Sequence, residues 1–323
     1  MKEKYIVIAN NYSLWKYLFS DIEKVGGDIF IYPLDDEDGR RKRFFYKFCC
    51  NKLCKKILNP LWDKYIIRKH LSDRKTKYKV LFLSPILPSL NHCFFNEIKK
   101  YNTNLGLLFE DSVSCLPETY MDRVNKMLNH FPKDKIFTYD LEDKQKYNWK
   151  ISYQYYSKIM TEKPEIVYDA FLCLYNKGRA EKAVQIYDSL CEIGCNCLFY
   201  ISGVDGEFVD SHKRDGIVYN QILTYKEIIK FTGKSRVIIE LCQKNQHGHT
   251  LRAIEAIVYN KKLVTDNANI TEFPYFNENY MKIIRNASDI NIIDSSFLKT
   301  DLLQAEYHCD DDEFSPIRFM EKL

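Results

Sequence analysis

The sequence predicts an α/β protein of two Rossmann-like domains facing across a cleft. Short β-branched apolar runs alternate with stretches of helical period along most of the chain, the pattern of a parallel sheet covered by helices. The alternation stops once, over residues 140–159, and then resumes. A length of 323 residues is long for one core and comfortable for two, and 46% apolar content is enough to bury both.

The first domain is expected over residues 1–150 and the second over 151–323. Residues 5–9 read as a strand, Ser13 as the cap of a helix running to the Gly26-Gly27 stop, and residues 28–34 as the next strand. A basic helical insertion over residues 40–75 follows the acidic turn Asp35-Asp36-Glu37-Asp38, with Pro60 expected to separate two helices. Strands at 79–85, 104–110 and 135–139 then alternate with helices at 90–101 and 118–131. Residues 140–159, polar and aromatic with no regular period, read as the linker. In the second domain strands are expected at 168–174, 196–201, 216–219, 237–241, 263–265 and 281–284. Helices are expected at 179–193, 225–232, after Thr250 and near 295–303.

Composition excludes several classes. The longest apolar runs, such as 80–83 and 237–241, are far short of the roughly 20 residues of a membrane span. The start of the chain has too short an apolar core for a secretory signal, so a cytoplasmic protein is expected. Eleven cysteines, without a CxxC pair, fit a reducing compartment; Cys191, Cys195 and Cys197, and Cys49, Cys50 and Cys54, read as small hydrophobes rather than zinc ligands. Net charge is +4, but residues 40–79 hold 15 Lys/Arg against 2 Asp/Glu, so the rest of the chain sums to −9.

The most informative stretch is residues 234–267. An apolar run enters the polar loop Gln246-His247-Gly248-His249-Thr250, and a helix carrying Arg252 and Glu255 leads to a second apolar run. A glycine at a helix start lets main-chain N–H groups and the positive end of the helix dipole face an anion. Arg252 and Glu255, three apart, share a face one turn in, where a guanidinium can brace a diphosphate and a carboxylate can accept from a ribose diol. A plain ion pair is the competing reading of the two, and a helix N-cap that of Thr250. His247 and His249 flank the glycine, yet no third zinc ligand is in sight.

This segment, QxGxTxRxxEA followed by KKLVTDN, resembles the donor site of bacterial GT-B fold glycosyltransferases of lipopolysaccharide, O-antigen and capsule biosynthesis. Tyr168-Asp169-Ala170-Phe171 through Gly178-Arg179, and Ile222 to Tyr225 through Lys234-Ser235, resemble the same group, and the similarity spans roughly residues 135–285. It implies transfer of a sugar from a nucleotide-sugar donor to a saccharide or lipid-linked acceptor, with no bound metal and no cofactor. Carried over by residue, Gly248 and Thr250 meet the diphosphate, Glu255 the ribose, and Arg252 and Gln246 the diphosphate or sugar hydroxyls. Arg179, after Gly178 at a helix start, is placed to reach the same phosphates.

An inverting transfer needs a base for the acceptor hydroxyl. Asp111, at a strand exit, is the leading candidate, with Glu110 behind it and His92 as a weaker alternative; a turn or capping aspartate is the competing reading. The basic aromatic stretch 40–79 is expected to meet an anionic inner-membrane surface, against a helical hairpin whose aromatics pack on the domain. The acidic turn 35–38 is read as solvated rather than metal-binding. Two rival functions stand beside the first: a nucleotide-sugar epimerase of the same fold, and a nucleic-acid-binding protein using the basic stretch. Nucleic acid is not expected as a partner, because the remaining −9 would repel it and no RRM, KH or helix-turn-helix signature appears.

Overall fold

The computed structural model describes the chain apart from residues 1, 37, 50–54, 161, 163 and 303–311. The fold has two compact units, Met1–Ser157 together with Phe314–Leu323, and Lys158–Glu313.

In the first unit the elements run β1 (Glu3–Ala9), α1 (Leu14–Leu18), α2 (Ser20–Lys24), β2 (Asp28–Ile31), α3 (Arg40–Cys49), α4 (Lys55–His70), β3 (Lys77–Leu83), α5 (His92–Ile98), β4 (Thr103–Phe109), α6 (Glu118–Leu128), β5 (Ile136–Thr138), α7 (Leu141–Tyr147) and β6 (Lys150–Ile151). All pairings are parallel in the order β2-β1-β3-β4-β5-β6, so strand order reverses between β1 and β3. Ile6, Ile8, Val80, Phe82, Leu107 and Phe109 supply the sheet side of a core closed by Trp62, Phe94 and Phe95.

Four local expectations change. Ser13 sits at helical angles and caps nothing, and the helix it was to start is broken at buried Phe19 into α1 and α2. The glycine stop holds: Gly26 has φ +77, and a Cβ on Gly27 would lie 2.5 Å from the Ile22 side chain. Pro60 lies inside α4 rather than between two helices, because buried Trp62, Ile66, Ile67 and Leu71 anchor the helix beyond it. Residues 50–54, with Cys50 and Cys54, lie outside the described residues. Finally, residues 140–159 are not a featureless linker. Asp140 caps α7 by accepting from Glu142 and Asp143 N–H, and β6 completes the sheet on β5. The chain also returns at its end: α13 (Pro316–Glu321) sets Phe319 against Phe137 at 4.8 Å and Tyr155 at 4.2 Å between ring centroids.

The second unit runs β7 (Tyr168–Tyr175), α8 (Ala180–Glu192), β8 (Cys197–Ser202), α9 (Gly206–Ser211), β9 (Ile217–Tyr219), α10 (Tyr225–Gly233), β10 (Ser235–Glu240), α11 (Leu251–Val258), β11 (Lys262–Thr265), β12 (Met281–Ile283) and α12 (Ser295–Lys299). Its sheet is again parallel, in the order β12-β11-β10-β7-β8-β9. Counted within the domain this is the dinucleotide-fold order 3-2-1-4-5-6, reversing between β7 and β10. The polar loop after β8 holds α9, which sequence reading left out; Asp205 caps it by accepting from the Phe208 N–H at 2.8 Å. Cys195 and Cys197 are buried as small hydrophobes, whereas Cys191 is exposed at the end of α8.

Candidate functional site

Ligands of doubly wound sheets bind beyond the carboxyl ends of the strands where strand order reverses. In the second unit that point is the adjacent ends of β7 and β10, followed by the N-termini of α8 and α11. Every donor-site residue read from the sequence belongs to these two strand-to-helix connections or the first turn and a half of α11.

On the β7 side, Asn176 organises the turn. Its side-chain oxygen accepts from the N–H groups of Gly178, Arg179 and Ala180 at 3.0 to 3.1 Å. Lys177 and Gly178 turn with φ of +39° and +83°. The Arg179 guanidinium donates to the carbonyls of Asn176, Tyr175 and Leu241, so it ties the end of β7 to the end of β10. Its expected role on phosphates is thus joined by a structural one that sequence could not reveal. Lys177 Nζ donates to Gln243 Oε1 at 2.9 Å and Lys182 Nζ to Asp266 Oδ2 at 2.8 Å, adding two cations to the same edge.

On the β10 side, Gln246 Oε1 accepts from the Gln243 N–H at 3.1 Å, closing the loop on itself. The buried Gly248 carbonyl accepts from Asn267 Nδ2 at 2.9 Å and that of His247 from Asn269 Nδ2 at 3.2 Å. His249 packs on Phe273 with 4.5 Å between ring centroids, and burial lowers its pKa. Thr250 is the N-cap of α11, accepting from the Arg252 N–H at 3.1 Å, while its hydroxyl donates to Glu240. Glu240, at the end of β10, also accepts from Thr265, and burial raises its pKa. Sequence reading missed Glu240 and Asn176. The signals were a lone carboxylate closing an apolar strand and an Asn two residues before a glycine.

Glu255 is fully buried. Its Oε1 accepts from the Tyr225 hydroxyl at 2.6 Å and its Oε2 lies against Arg252 Nη1 in a close ion pair. Burial raises the Glu255 carboxyl above the usual range even though Arg252 opposes the shift. The carboxylate does not stand open: the Tyr225 hydroxyl covers Oε1 and Arg252 covers Oε2. A cavity of about 660 Å³ in this unit, lined by Lys262, Tyr280 and Phe297, contains none of these residues.

In the first unit, Glu110 and Asp111 follow β4. Asp111 is exposed, whereas Glu110 is 9% exposed and its Oε1 has no hydrogen-bond partner among the described residues. Burial, with repulsion from Asp111, pushes the Glu110 carboxyl up to about 8. The carboxylates beyond it have structural work: Asp140 caps α7 and accepts from Ser112, and Asp143 accepts from the Val113 N–H at 2.9 Å. His92 instead pairs with His130, Nδ1 to Nε2 at 2.7 Å, and contacts neither carboxyl of the 110–111 pair in any hydrogen bond described. The acidic turn is not merely solvated: Asp35 pairs with Lys16, Asp38 with Lys42, and Arg43 donates to the carbonyls of Asp35, Asp36 and Asp38. Among the described residues no three His, Cys, Asp or Glu side chains converge as metal ligands.

Comparison with protein-family models gives no match, and comparison with curated proteins gives none. Solved structures do match along nearly the whole chain. A glycosyltransferase from Rickettsia africae ESF-5 is 14% identical, with 99% of this chain and 96% of that one covered and a TM-score of 0.55. Anabaena Alr3699/HepE, solved with UDP and glucose, is 8% identical over 99% and 97% with a TM-score of 0.58. A Listeria monocytogenes protein described as a UDP-N-acetylglucosamine 2-epimerase is 11% identical over 93% and 89% with a TM-score of 0.51. At these identities likeness shows the fold. This chain has the two-domain Rossmann-like fold of GT-B glycosyltransferases, one shared with other enzymes that use nucleotide sugars.

Proposed function

We propose that the protein is a glycosyltransferase that moves a sugar from a nucleotide-sugar donor to a saccharide or lipid-linked acceptor in cell-surface polysaccharide synthesis, at the inner face of the cytoplasmic membrane. The observation that carries this is the reversal point between β7 and β10, where the Gly248–Thr250 loop, the start of α11, the Arg252–Glu255 pair and the cations Lys177, Arg179 and Lys182 share one strand edge.

In this reading the N–H groups from Gly248 into α11 take the diphosphate, aided by the helix dipole and by Arg252. Gln246 and Arg179 supply further donors to phosphate or sugar oxygens. Glu255 exchanges the Tyr225 hydroxyl for the ribose diol, and Arg252 keeps the carboxylate paired throughout. Developing charge on the leaving diphosphate is met by helix ends and cations, so no metal ion or cofactor is invoked. Asp111, with Glu110 as the second candidate, takes the proton of the acceptor hydroxyl, and the basic stretch 40–79 faces an anionic membrane where a lipid-linked acceptor is found. An epimerase of the same fold is the rival. It requires the same donor site but no second substrate, so turnover with and without added saccharide acceptors separates the two.

The donor site is tested by thermal shift and calorimetry with UDP, GDP and their sugars. Glu255→Gln should weaken nucleotide binding tenfold or more, about 1.4 kcal/mol. Tyr225→Phe removes a competitor for the carboxylate and should leave affinity equal or tighter. Unchanged affinity in Glu255→Gln would remove the ribose role and with it the main support for the donor site.

A further inference from the structure

Helices α3 and α4 carry two sets of large apolar side chains, and only one set is used by the fold. The inward set is core: Trp62, Ile66 and Ile67 are fully buried, Tyr46 meets Trp62 at 5.1 Å, and Phe45 meets Tyr65 at 5.4 Å between ring centroids. The outward set is exposed: Phe44 is 74% exposed, Phe48 57% and Leu61 51%, and Tyr65, 45% exposed, lies at the border of the two sets with its ring also against Phe45 and Trp62. Phe44 and Phe48 are four apart on α3, as Leu61 and Tyr65 are on α4, so each pair makes a stripe along one helix face. The Phe45–Tyr65 contact holds the two helices side by side.

The charges on this face are all of one sign. At 100° per residue, Arg40, Arg41 and Lys47 fall in the same arc of α3 as its two phenylalanines, and Lys64 and Arg68 flank Leu61 and Tyr65 on α4. All five cations are exposed, and among the described residues none has an ion-pair partner. Asp63, the acidic residue of α4, is turned inward, 1% exposed, accepting from Tyr32 at 2.7 Å and Asn91 at 3.1 Å. Asp38, just before α3, is paired with Lys42. An exposed apolar stripe bordered by cations, with no carboxylate on it among the described residues, matches the boundary of an anionic bilayer, where headgroups meet acyl chains. Nucleic acid would meet the charges and stack on the rings, but it offers no partner for aliphatic Leu61. Among the described residues no helix is long and apolar enough to cross a membrane, so the contact is one of lying on the surface.

We propose that the outward face of α3 and α4 seats in the interface of an anionic lipid bilayer. Phe44, Phe48, Leu61 and Tyr65 enter the acyl boundary while Arg40, Arg41, Lys47, Lys64 and Arg68 rest on lipid phosphates. This deepens the membrane-facing reading of residues 40–79 and is independent of the donor chemistry.

The test is sedimentation of the full chain with phosphatidylcholine vesicles, with and without phosphatidylglycerol, at low and high salt. Binding should require the anionic lipid and weaken with salt. Neutralising Arg40, Arg41 and Lys47 to Gln should lower partitioning about 100-fold, at ~1 kcal/mol per cation. Phe44→Ser with Phe48→Ser should lower it about tenfold or more while leaving the melting temperature and the nucleotide-induced thermal shift unchanged. Exchange of the exposed Lys213 and Lys230 for Gln should have no effect. The proposal is overturned by absence of binding at low salt, by equal binding of the double Phe variant, or by tighter binding to RNA than to anionic vesicles. Loss of nucleotide binding in any of these variants would point to the donor-site reading instead, so the two fail separately.

Discussion

Burial and the neighbouring Asp111 hold the Glu110 carboxyl near 8, above its value of roughly 4.3 in an unfolded chain. A raised carboxyl pKa makes the folded state bind the extra proton, so its favourable contribution is complete below the unfolded value and is lost as pH rises from about 4.5 toward 8. The loss approaches about 5 kcal/mol at the alkaline end. Glu110→Gln should therefore flatten the stability profile across that window and be more stable than the parent at pH 8, as measured by denaturant unfolding. If Glu110 is the base, kcat/KM of the parent should climb through about pH 8 and vanish in the variant, while Asp111→Asn, which removes the repulsion, should move the limb to lower pH. A limb that stays in place in Asp111→Asn would unlink the two carboxyls. Sequence named this pair from its position after a strand and put Asp111 first. Which of the two is buried was not legible, because burial depends on residues distant in the chain.

At the scale of elements, α11 shows how a local signal acquires a second meaning. Thr250 was legible as both a phosphate contact and a cap, and the structure makes it the cap, with its hydroxyl further committed to Glu240. Thr250→Ala should cost about 1–3 kcal/mol, since it removes the cap and leaves buried Glu240 short of a donor, whereas Thr250→Ser should recover most of the loss. Urea unfolding of the two variants distinguishes this from a role in phosphate binding alone, which would leave stability intact. Apart from β6, which fell in the stretch read as a linker, strands were legible to within about three residues, because β-branched apolar runs have few alternatives. Helix breaks were not: Pro60 sits inside α4 and Phe19 splits α1 from α2, each because buried partners outweigh the local preference.

For the whole molecule, a nucleotide diphosphate bound at the β7–β10 edge should stabilise Lys158–Glu313 selectively. At 100 times its dissociation constant the gain is about 2.7 kcal/mol. Hydrogen exchange should slow in residues 176–182 and 241–255, with Met1–Ser157 little changed; protection confined to the first unit would contradict the donor-site assignment. The sequence by itself determined the class of fold, since alternating periods admit little but parallel α/β sheets, and it located the helix after Gly248 on which the proposed donor site is built. Tertiary structure alone decided where the units divide, because residues 140–157 and the terminal helix find their apolar partners in the first sheet. It alone decided that Arg179 and Asn176 lock the strand ends, that Tyr225 covers Glu255, and that Phe45 turns inward while Phe44 faces out. These facts depend on which surfaces meet after folding, and sequence neighbours carry no record of that.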